Sequence, residues 1–156
     1  MTDDANSREA IAFALRLLSL RNHSRHELAG KLMKKGYGHD AVEAAMDYLA
    51  EKRLVDDEAF GRELISSRSK RRPVGVSAMR FELARKGVPD EISGSLLREY
   101  DSASLCLAAA EKKLAALHRY DETVRKKKLE AFLRNRGFGW PIIKETIERL
   151  FHKRPS

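Results

Sequence analysis

Apolar side chains recur along the chain at the spacing of α-helices, and one arrangement of them occurs three times. In each copy, two apolar residues four positions apart share a helix face, a glycine follows after four more positions, and another apolar residue comes directly after the glycine. The copies lie about fifty residues apart and comprise Leu28, Leu32, Gly36 and Tyr37; Met79, Leu83, Gly87 and Val88; and Leu129, Leu133, Gly137 and Phe138. The pattern predicts the same helix, with the same end, in three places.

The glycines predict how these three helices end. Glycine adopts the left-handed conformation at low cost, and a helix that ends in it often brings the next apolar residue back against its last turn. We therefore expect positive φ angles at Gly36, Gly87 and Gly137. Ser24 and Glu27 have the spacing of a capping box, in which the hydroxyl serves one free backbone N–H and the carboxylate reaches back to another.

Each copy is flanked by a further helix on either side. After the glycines, we expect a helix that Asp40 caps in the first copy, and helices that carry Pro89 and Pro141 in their first turns in the other two. Before the copies, residues 11–20 form two apolar stripes, which predicts a helix buried on most of its surface. The second such helix begins at "DDEAF".

These segments add up to nine helices in three triplets, and no stretch alternates as a strand would. One triplet buries little apolar surface alone, so stacked neighbours must extend the core. The sequence predicts an all-α fold of three tandem three-helix repeats, stacked into an elongated, curved array. The predicted boundaries are 1–55, which includes an N-terminal tail, 56–100 and 101–156.

Composition narrows the function. The 156 residues include 31 Lys plus Arg against 23 Asp plus Glu, a formal net charge of +8, which favours acidic or polyanionic partners. The single cysteine, Cys106, lies in an apolar run and is interpreted as a core residue. The acidic start of the chain does not resemble a signal peptide, and no apolar run approaches the ~20 residues of a membrane span. We expect a soluble, cytoplasmic protein that does not contact a membrane.

Catalytic patterns are absent from the sequence, which has no phosphate-binding GxxxxGK[ST] loop, no HExxH and no CxxC. Asp56, Asp57 and Glu58 are the densest acidic cluster, but acids at a helix start bond free N–H groups and suit the helix dipole, so we interpret them as capping residues. His23 and His26 flank an expected helix start and need not share a face. The sequence predicts no catalytic residue, no metal ligand and no cofactor, and hence no enzyme.

Basic residues form the candidate binding sites. The segment "SSRSKRRPVG" is polar and contains proline, and it predicts a mobile surface loop that carries Arg68, Lys70, Arg71 and Arg72. A second cluster occupies the first turns of a helix, where the dipole disfavours cations, and consists of Arg125, Lys126, Lys127 and Lys128. A third group precedes the repeated glycines, at helix ends that the dipole makes favourable, and consists of Lys34, Lys35, Arg85, Lys86 and Arg136. We predict contacts with phosphates or an acidic protein at these residues.

The ordered set of motifs resembles the RecX family, over residues 8–151. The first repeat carries the phrases "SRHELAGKLMKKGY" and "YLAEKRLVDDEAFGRELISSRS", with Asp56, Asp57 and Phe60 at the family's aspartate-rich turn, and "LRNRGFGWPIIKETI" is similar to its closing pattern. Where the family often has a Gly-Tyr-Gly-Pro-like loop, this chain has "RPVGVS", so no contact of that aromatic is carried over.

The resemblance implies three tandem three-helix units and a role in DNA repair, homologous recombination and the SOS response. RecX proteins are regulators rather than enzymes, and they lie along RecA filaments on single-stranded DNA. There they mainly inhibit ATP hydrolysis, strand exchange and filament growth. The implied partners are RecA and, through the filament, single-stranded DNA, with this chain favoured as a monomer.

Two other functions are compatible with the residues alone. One is a direct DNA-binding regulator built of helix-turn-helix-like triplets, although the third helix of each of the first two triplets begins with acids and offers few side chains for base edges. The other is a plain scaffold repeat, which predicts no response to salt or nucleic acid.

Overall fold

The structure is a computed structural model, and it describes residues 2–152. Within that range the chain forms nine α-helices and no strand: α1 (Thr2–Leu20), α2 (Arg25–Lys35), α3 (His39–Glu51), α4 (Asp57–Arg71), α5 (Val76–Arg85), α6 (Asp90–Leu96), α7 (Ser102–Ala115), α8 (Glu122–Asn135) and α9 (Trp140–Phe151). The predicted all-α fold of three tandem three-helix repeats is confirmed.

The three helices of the repeated pattern, α2, α5 and α8, end in the same way. Gly36, Gly87 and Gly137 have φ angles of 112°, 85° and 87°, as predicted. Each glycine N–H donates to the carbonyl three residues before it, and the next N–H donates to the carbonyl five residues before it. This pair of bonds is the Schellman motif, which satisfies carbonyl groups that a helix end otherwise leaves free.

Side chains cap some of the helix starts, though not always as predicted. Ser24 Oγ accepts from Glu27 N at 3.0 Å, which confirms the cap of α2. The Glu27 carboxylate does not reach back along the helix, because Arg21 holds it with two hydrogen bonds of 3.1 and 2.9 Å. Asp40 does not cap α3 either, since that helix already begins at His39, with Gly38 at the N-cap position.

Of the acidic cluster Asp56, Asp57 and Glu58, only Asp56 caps α4 as predicted, because Asp57 and Glu58 are already part of the helix. Asp56 Oδ1 accepts from the backbone N–H groups of Glu58 and Ala59, at 3.0 and 3.2 Å. The adjacent Asp57 is buried and its carboxylate accepts from Arg25 N at 2.8 Å, which ties the start of α4 to the start of α2.

The segment predicted as a mobile loop is helical, and that prediction was wrong. Helix α4 runs to Arg71, so only residues 72–75 connect it to α5. Arginine, lysine and serine do not oppose a helix at exposed positions, and Pro73 stops the helix only after Arg71. Low apolar content therefore marked an exposed helix end rather than a loop.

The two prolines predicted in first turns occupy different positions. Pro141 is the second residue of α9, which is confirmed. Pro89 lies one residue before α6, where its carbonyl accepts from Ser93 N. Both positions suit a residue that has a fixed φ and no N–H.

The chain forms two compact units. The first comprises the chain through Leu64 together with Leu83–Leu96, and the second comprises Ile65–Glu82 and the chain from Leu97 onward. The division passes through α4 and α5, so the second repeat contributes to both units. The repeat boundaries at residues 55 and 100 stay predictions.

The core of the first unit lies between α1, α2 and α3. Leu28, Leu32 and Leu49 are fully buried there. Helix α1 contributes its small residues Ala10 and Ala14, which are also fully buried. Because alanines allow close approach, α1 packs through this face, and the wide burial predicted for the helix was wrong: Leu15 and Leu20 are 39% and 78% exposed.

The core of the second unit lies between α7, α8 and α9. Cys106, Leu129, Leu133 and Ile143 are fully buried in it. Cys106 is thus a core residue, as interpreted, and burial raises the pKa of its thiol. Within residues 2–152, no helix is long and apolar enough to cross a membrane.

Candidate functional site

The predicted binding residues of the first unit lie at the ends of two helices. Lys34 and Lys35 end α2, Arg85 ends α5, and Lys86 follows it. Their positive charge suits the carbonyl end of a helix. Lys86 also lies 3.8 Å from the carboxylate of Glu27, so part of its charge is neutralised inside the unit.

The cations predicted on a loop lie at the end of α4, in the second unit. Arg68 forms an ion pair with Glu82 of α5. Lys70 and Arg71 are in the last turn of α4 and Arg72 comes next; none of these three forms an ion pair with any residue the structure describes. Three of the four charges are therefore uncompensated, although the helix dipole favours their positions.

The cluster early in α8 has local partners that the sequence did not reveal. Lys126 Nζ lies 3.3 Å from Glu122, one turn earlier. Arg125 and Lys126 lie over the ring of Phe151, at 5.6 and 5.4 Å from its centre. Lys128 lies 4.7 Å from the ring centre of Tyr120. These local contacts offset the unfavourable helix dipole for three of the four cations, and Lys127 is the exposed member for which no partner is recorded within residues 2–152.

The short link between α4 and α5 is held against the end of α8. Gly75 N–H donates to Arg136 O at 2.7 Å, and the Arg136 guanidinium donates to Pro73 O at 3.2 Å. Tyr100 adds a third bond, because its hydroxyl donates to Val74 O at 2.5 Å. The predicted residues at the end of α4 are thereby brought beside Arg136.

This arrangement forms a cavity of about 300 Å³ within the second unit, which is partly open to solvent. Five cations line it, together with Phe132 and several small residues of α7 and its C-terminal end. The cations are Arg71, Arg72, Lys112, Lys113 and Arg136. No acidic side chain is among the lining residues, and none of the five forms an ion pair within the described part of the chain.

The cavity is electropositive and has an aromatic wall. Lys113 Nζ lies 5.1 Å from the ring centre of Phe132, and the Arg136 guanidinium carbon lies 4.6 Å from it. Burial lowers the pKa of Arg136, and the nearby charge of Arg72 lowers it further. Chemically, such a site can bind an anion, since a negative charge would relieve the repulsion between these guanidinium groups.

Sequence reasoning missed the other charged residues and the aromatic residue of this cavity. Lys112 and Lys113 stand at the end of α7, and Phe132 lies one turn before Arg136 on α8. The sequence could have predicted Lys112 and Lys113, because they form a basic helix end like Lys34 and Lys35. The convergence of α7, α8 and the link depends on tertiary packing, which no local pattern encodes.

One exposed group has the residue types of a metal site. The side chains of His39, Asp40 and Glu43, at the start of α3, lie within 4.8 Å of one another. All three are exposed, with His39 Nδ1 3.9 and 3.8 Å from the two carboxylates, and exposed groups of this kind are common at helix starts without a metal.

Comparison with known proteins gives the same three-part organisation. The chain matches the family models of the first, second and third three-helix domains of RecX, at residues 10–49, 56–94 and 99–147 respectively. The "Regulatory protein RecX" of Chlorobium limicola is 60% identical over 98% of this chain and 96% of its own length. That of Pelodictyon phaeoclathratiforme is 49% identical over 96% of this chain and 93% of its own length.

A solved structure shows the same fold. The crystal structure of RecX from Lactobacillus salivarius matches with a TM-score of 0.86 at 21% identity, over 94% of this chain and 97% of that one. With three domain models matched in order and relatives of high identity along nearly the whole length, the chain belongs to the RecX family.

Proposed function

We propose that this protein regulates the RecA recombinase. It associates with RecA filaments on single-stranded DNA and mainly inhibits ATP hydrolysis, strand exchange and filament growth, in the cytoplasm and without catalysing a reaction. The observation that carries the proposal is the match to all three RecX domains, in order, together with relatives named "Regulatory protein RecX" that align along almost their full length.

The distribution of charge supports a nucleoprotein partner. The chain carries a net charge of +8, and several cations of the second unit have no internal counterion among residues 2–152. A filament that contains DNA and acidic protein surface presents the opposite charge. The unpaired cations lie at helix ends and around a cavity, which suits contacts to phosphates and carboxylates rather than to base edges.

The test is RecA-dependent ATP hydrolysis on single-stranded DNA, with the protein titrated from substoichiometric amounts to a several-fold excess. We expect inhibition at less than one molecule per RecA, and the same inhibition on strands of unrelated sequence. Unchanged hydrolysis at a several-fold excess would overturn the proposal. Tight, sequence-specific binding to duplex DNA in the same samples would favour the direct DNA-binding regulator instead.

Variants in α8 and α9 test whether the α8 cluster contacts the filament directly or acts only through the net charge of the protein. Lys127→Gln combined with Lys128→Gln removes two charges from the α8 cluster, and Lys144→Gln combined with Arg149→Gln removes two exposed charges from α9. We expect the first pair to weaken filament binding and to reduce the log–log salt slope by about 0.7 for each phosphate that the variant no longer binds. Equally weakened binding by both pairs would mean that the α8 cluster acts only through net charge.

A further inference from the structure

The cavity between the link, α7 and α8 combines two chemical surfaces. Its cations come from three separate parts of the chain: Arg71 and Arg72 from the end of α4, Lys112 and Lys113 from the end of α7, and Arg136 from the end of α8. Its remaining wall is apolar, made of Phe132, Pro73 and alanines of α7 and the residue that follows it. A simple surface charge cluster would not have this apolar wall.

The arrangement of the five cations suits the binding of an anion from outside the protein. Elsewhere in the same unit, Arg68, Lys126 and Arg134 each have a carboxylate partner on a neighbouring turn or helix, while the unpaired Lys70 and Lys127 are exposed and do not line the cavity. Around the cavity, five positive groups converge without any carboxylate, and Arg136 is fixed there by its hydrogen bond to Pro73 O. Like charges that are gathered and held close together are unfavourable unless something compensates them.

The size of the cavity limits the ligand. A volume of about 300 Å³ is at the small end of the range for small-molecule pockets, roughly 300–1,000 Å³. It can hold one nucleotide-sized group. A carboxylate of an acidic peptide would satisfy the cations but would leave most of the apolar wall without a contact.

We propose that this cavity binds one phosphorylated nucleoside, either free or as a single nucleotide of an unpaired strand. The phosphate lies among the guanidinium and ammonium groups, and the base lies against the alanines and Phe132. Arginine suits this role because its planar donors match phosphate oxygens, and apolar walls accept the faces of bases without regard to sequence.

The inference goes beyond the proposed function, because it concerns the free protein and requires no RecA. A failure of ATPase inhibition would leave it standing, and an absence of nucleotide binding would leave the family-based proposal standing. The measurements below therefore contain no recombinase.

The experiment measures binding of the full-length chain to fluorescein-labelled (dT)15 by anisotropy, with competition by thymidine 5′-monophosphate, by thymidine and by a glutamate decapeptide. The test variant is Arg72→Gln with Lys112→Gln. Arg136 is left unchanged because it also holds the link. The matched control is Lys144→Gln with Arg149→Gln, which removes the same charge from α9 of the same unit. Urea unfolding checks that each variant is folded, and the two single variants, on different helix ends, replace the double variant if it is not.

We expect the affinity of the test variant to fall about tenfold or more, as for charged hydrogen bonds to phosphate, while that of the control falls much less. Thymidine monophosphate should displace the strand at concentrations where thymidine does not. Saturation by the mononucleotide alone, followed by amide shifts of Lys112 and Arg136 in NMR spectra, would identify free nucleotides as ligands. Competition only by longer strands would identify the strand as the source. Equal falls in affinity for the test and control variants, or displacement by the glutamate peptide but not by the nucleotide, would overturn the proposal.

Discussion

Gly36 and Gly137 end equivalent helices with the same backbone, yet their surroundings differ. Both have positive φ angles and both Schellman hydrogen bonds. A Cβ placed on Gly36 would meet no atom within 4 Å, whereas one on Gly137 would lie 2.7 Å from Ala78 Cβ and 2.9 Å from Ala78 N. Gly87 resembles Gly137, because a Cβ there would overlap the side chain of His26.

The difference arises because the helix ends of the second and third copies also contact another helix. In the first unit, the end of α5 contacts the start of α2, where Ser24 Oγ donates to Lys86 O at 2.5 Å. In the second unit, the end of α8 contacts the start of α5, where Gly75 N–H donates to Arg136 O. Each of these ends stops its own helix and binds the start of the corresponding helix one copy earlier. Gly36 belongs to the first copy, so no earlier copy exists for its helix end to bind, and Tyr37 beside it packs against Phe13 of α1 instead.

The largest effect should come from Gly137→Ala. The left-handed conformation costs an alanine about 1–2 kcal/mol, and the overlap with the backbone of Ala78 should add about 1–3 kcal/mol, as overpacking does. Gly36→Ala should lose only the first of these amounts. Urea unfolding of both variants measures the difference, and equal losses of stability would show that the overlap with Ala78 relaxes without penalty.

Ser24→Ala tests the contact between α5 and α2. Ser24 is fully buried, caps α2 and also bonds Lys86 O, so its removal should cost about 0.5–2 kcal/mol for the cap and about 1–3 kcal/mol for the unsatisfied carbonyl. Asp121→Ala is the matched control, because Asp121 is an exposed cap of α8 that bonds only Val124 N among the bonds recorded for it. If the two variants lose the same stability, the bond to Lys86 O contributes nothing.

The repeated pattern was predictable because its signals are local. Three glycines at fixed distances from buried leucines specify the helix ends, and the structure confirms each positive φ. The contact that those ends make was not predictable, because it depends on Gly75 and Ala78 coming close to Gly137 from more than fifty residues away. A glycine or an alanine at these positions does not by itself indicate that another helix end packs against it.

The sequence predicted only part of the candidate site, because the charge partners of its residues also lie on other helices. Charge runs identified Arg71, Arg72 and Arg136, which line the cavity. The same criterion also selected Arg68, whose charge Glu82 neutralises from the next helix. A count of charges along the sequence cannot distinguish a cation that faces a carboxylate from one that faces other cations, since the partner lies on another element.

A smaller effect on stability, which depends on pH, should be found at the contact between α5 and α2 in the first unit and not at the contact between α8 and α5 in the second. His23 is buried beside the cap of α2: its Nδ1 lies 3.0 Å from Arg21 O, and its Nε2 lies 2.9 Å from Lys31 Nζ. A lysine ammonium only donates, so the ring accepts at Nε2 and is neutral. Burial lowers the pKa of His23, opposed by the bond to Arg21 O, while the charges of Arg21 and Lys31 lower it and that of Glu27 raises it.

The pH dependence follows from this direction. The unfolded chain binds a proton near pH 6.5, but the folded chain resists it, so stability is complete above about pH 6.5 and declines as the pH falls. His23→Gln should flatten the pH dependence of the unfolding free energy between about pH 7.5 and 5, and His118→Gln, at an exposed position of the second unit, is the matched control for the substitution itself. An unchanged slope in the His23 variant would assign the acid sensitivity to other groups.

The smallest effect should be a gain, at a fourth helix end built like that of Gly36. Helix α3 ends with the same two hydrogen bonds, from Arg53 N to Ala50 O at 3.0 Å and from Leu54 N to Leu49 O at 2.8 Å, but an arginine with φ of 57° occupies the left-handed position. Arg53→Gly removes a strain of about 1–2 kcal/mol and introduces the entropic cost of glycine, about 0.5–1 kcal/mol, so stability should rise by about 0.5–1 kcal/mol.

Lys52→Gly is the control. Lys52 has φ of −80° and carries no such strain, so this variant should lose stability. Urea midpoints of the two variants should therefore move in opposite directions, and a loss in both would mean that the Arg53 side chain stabilises the protein by more than its backbone strain.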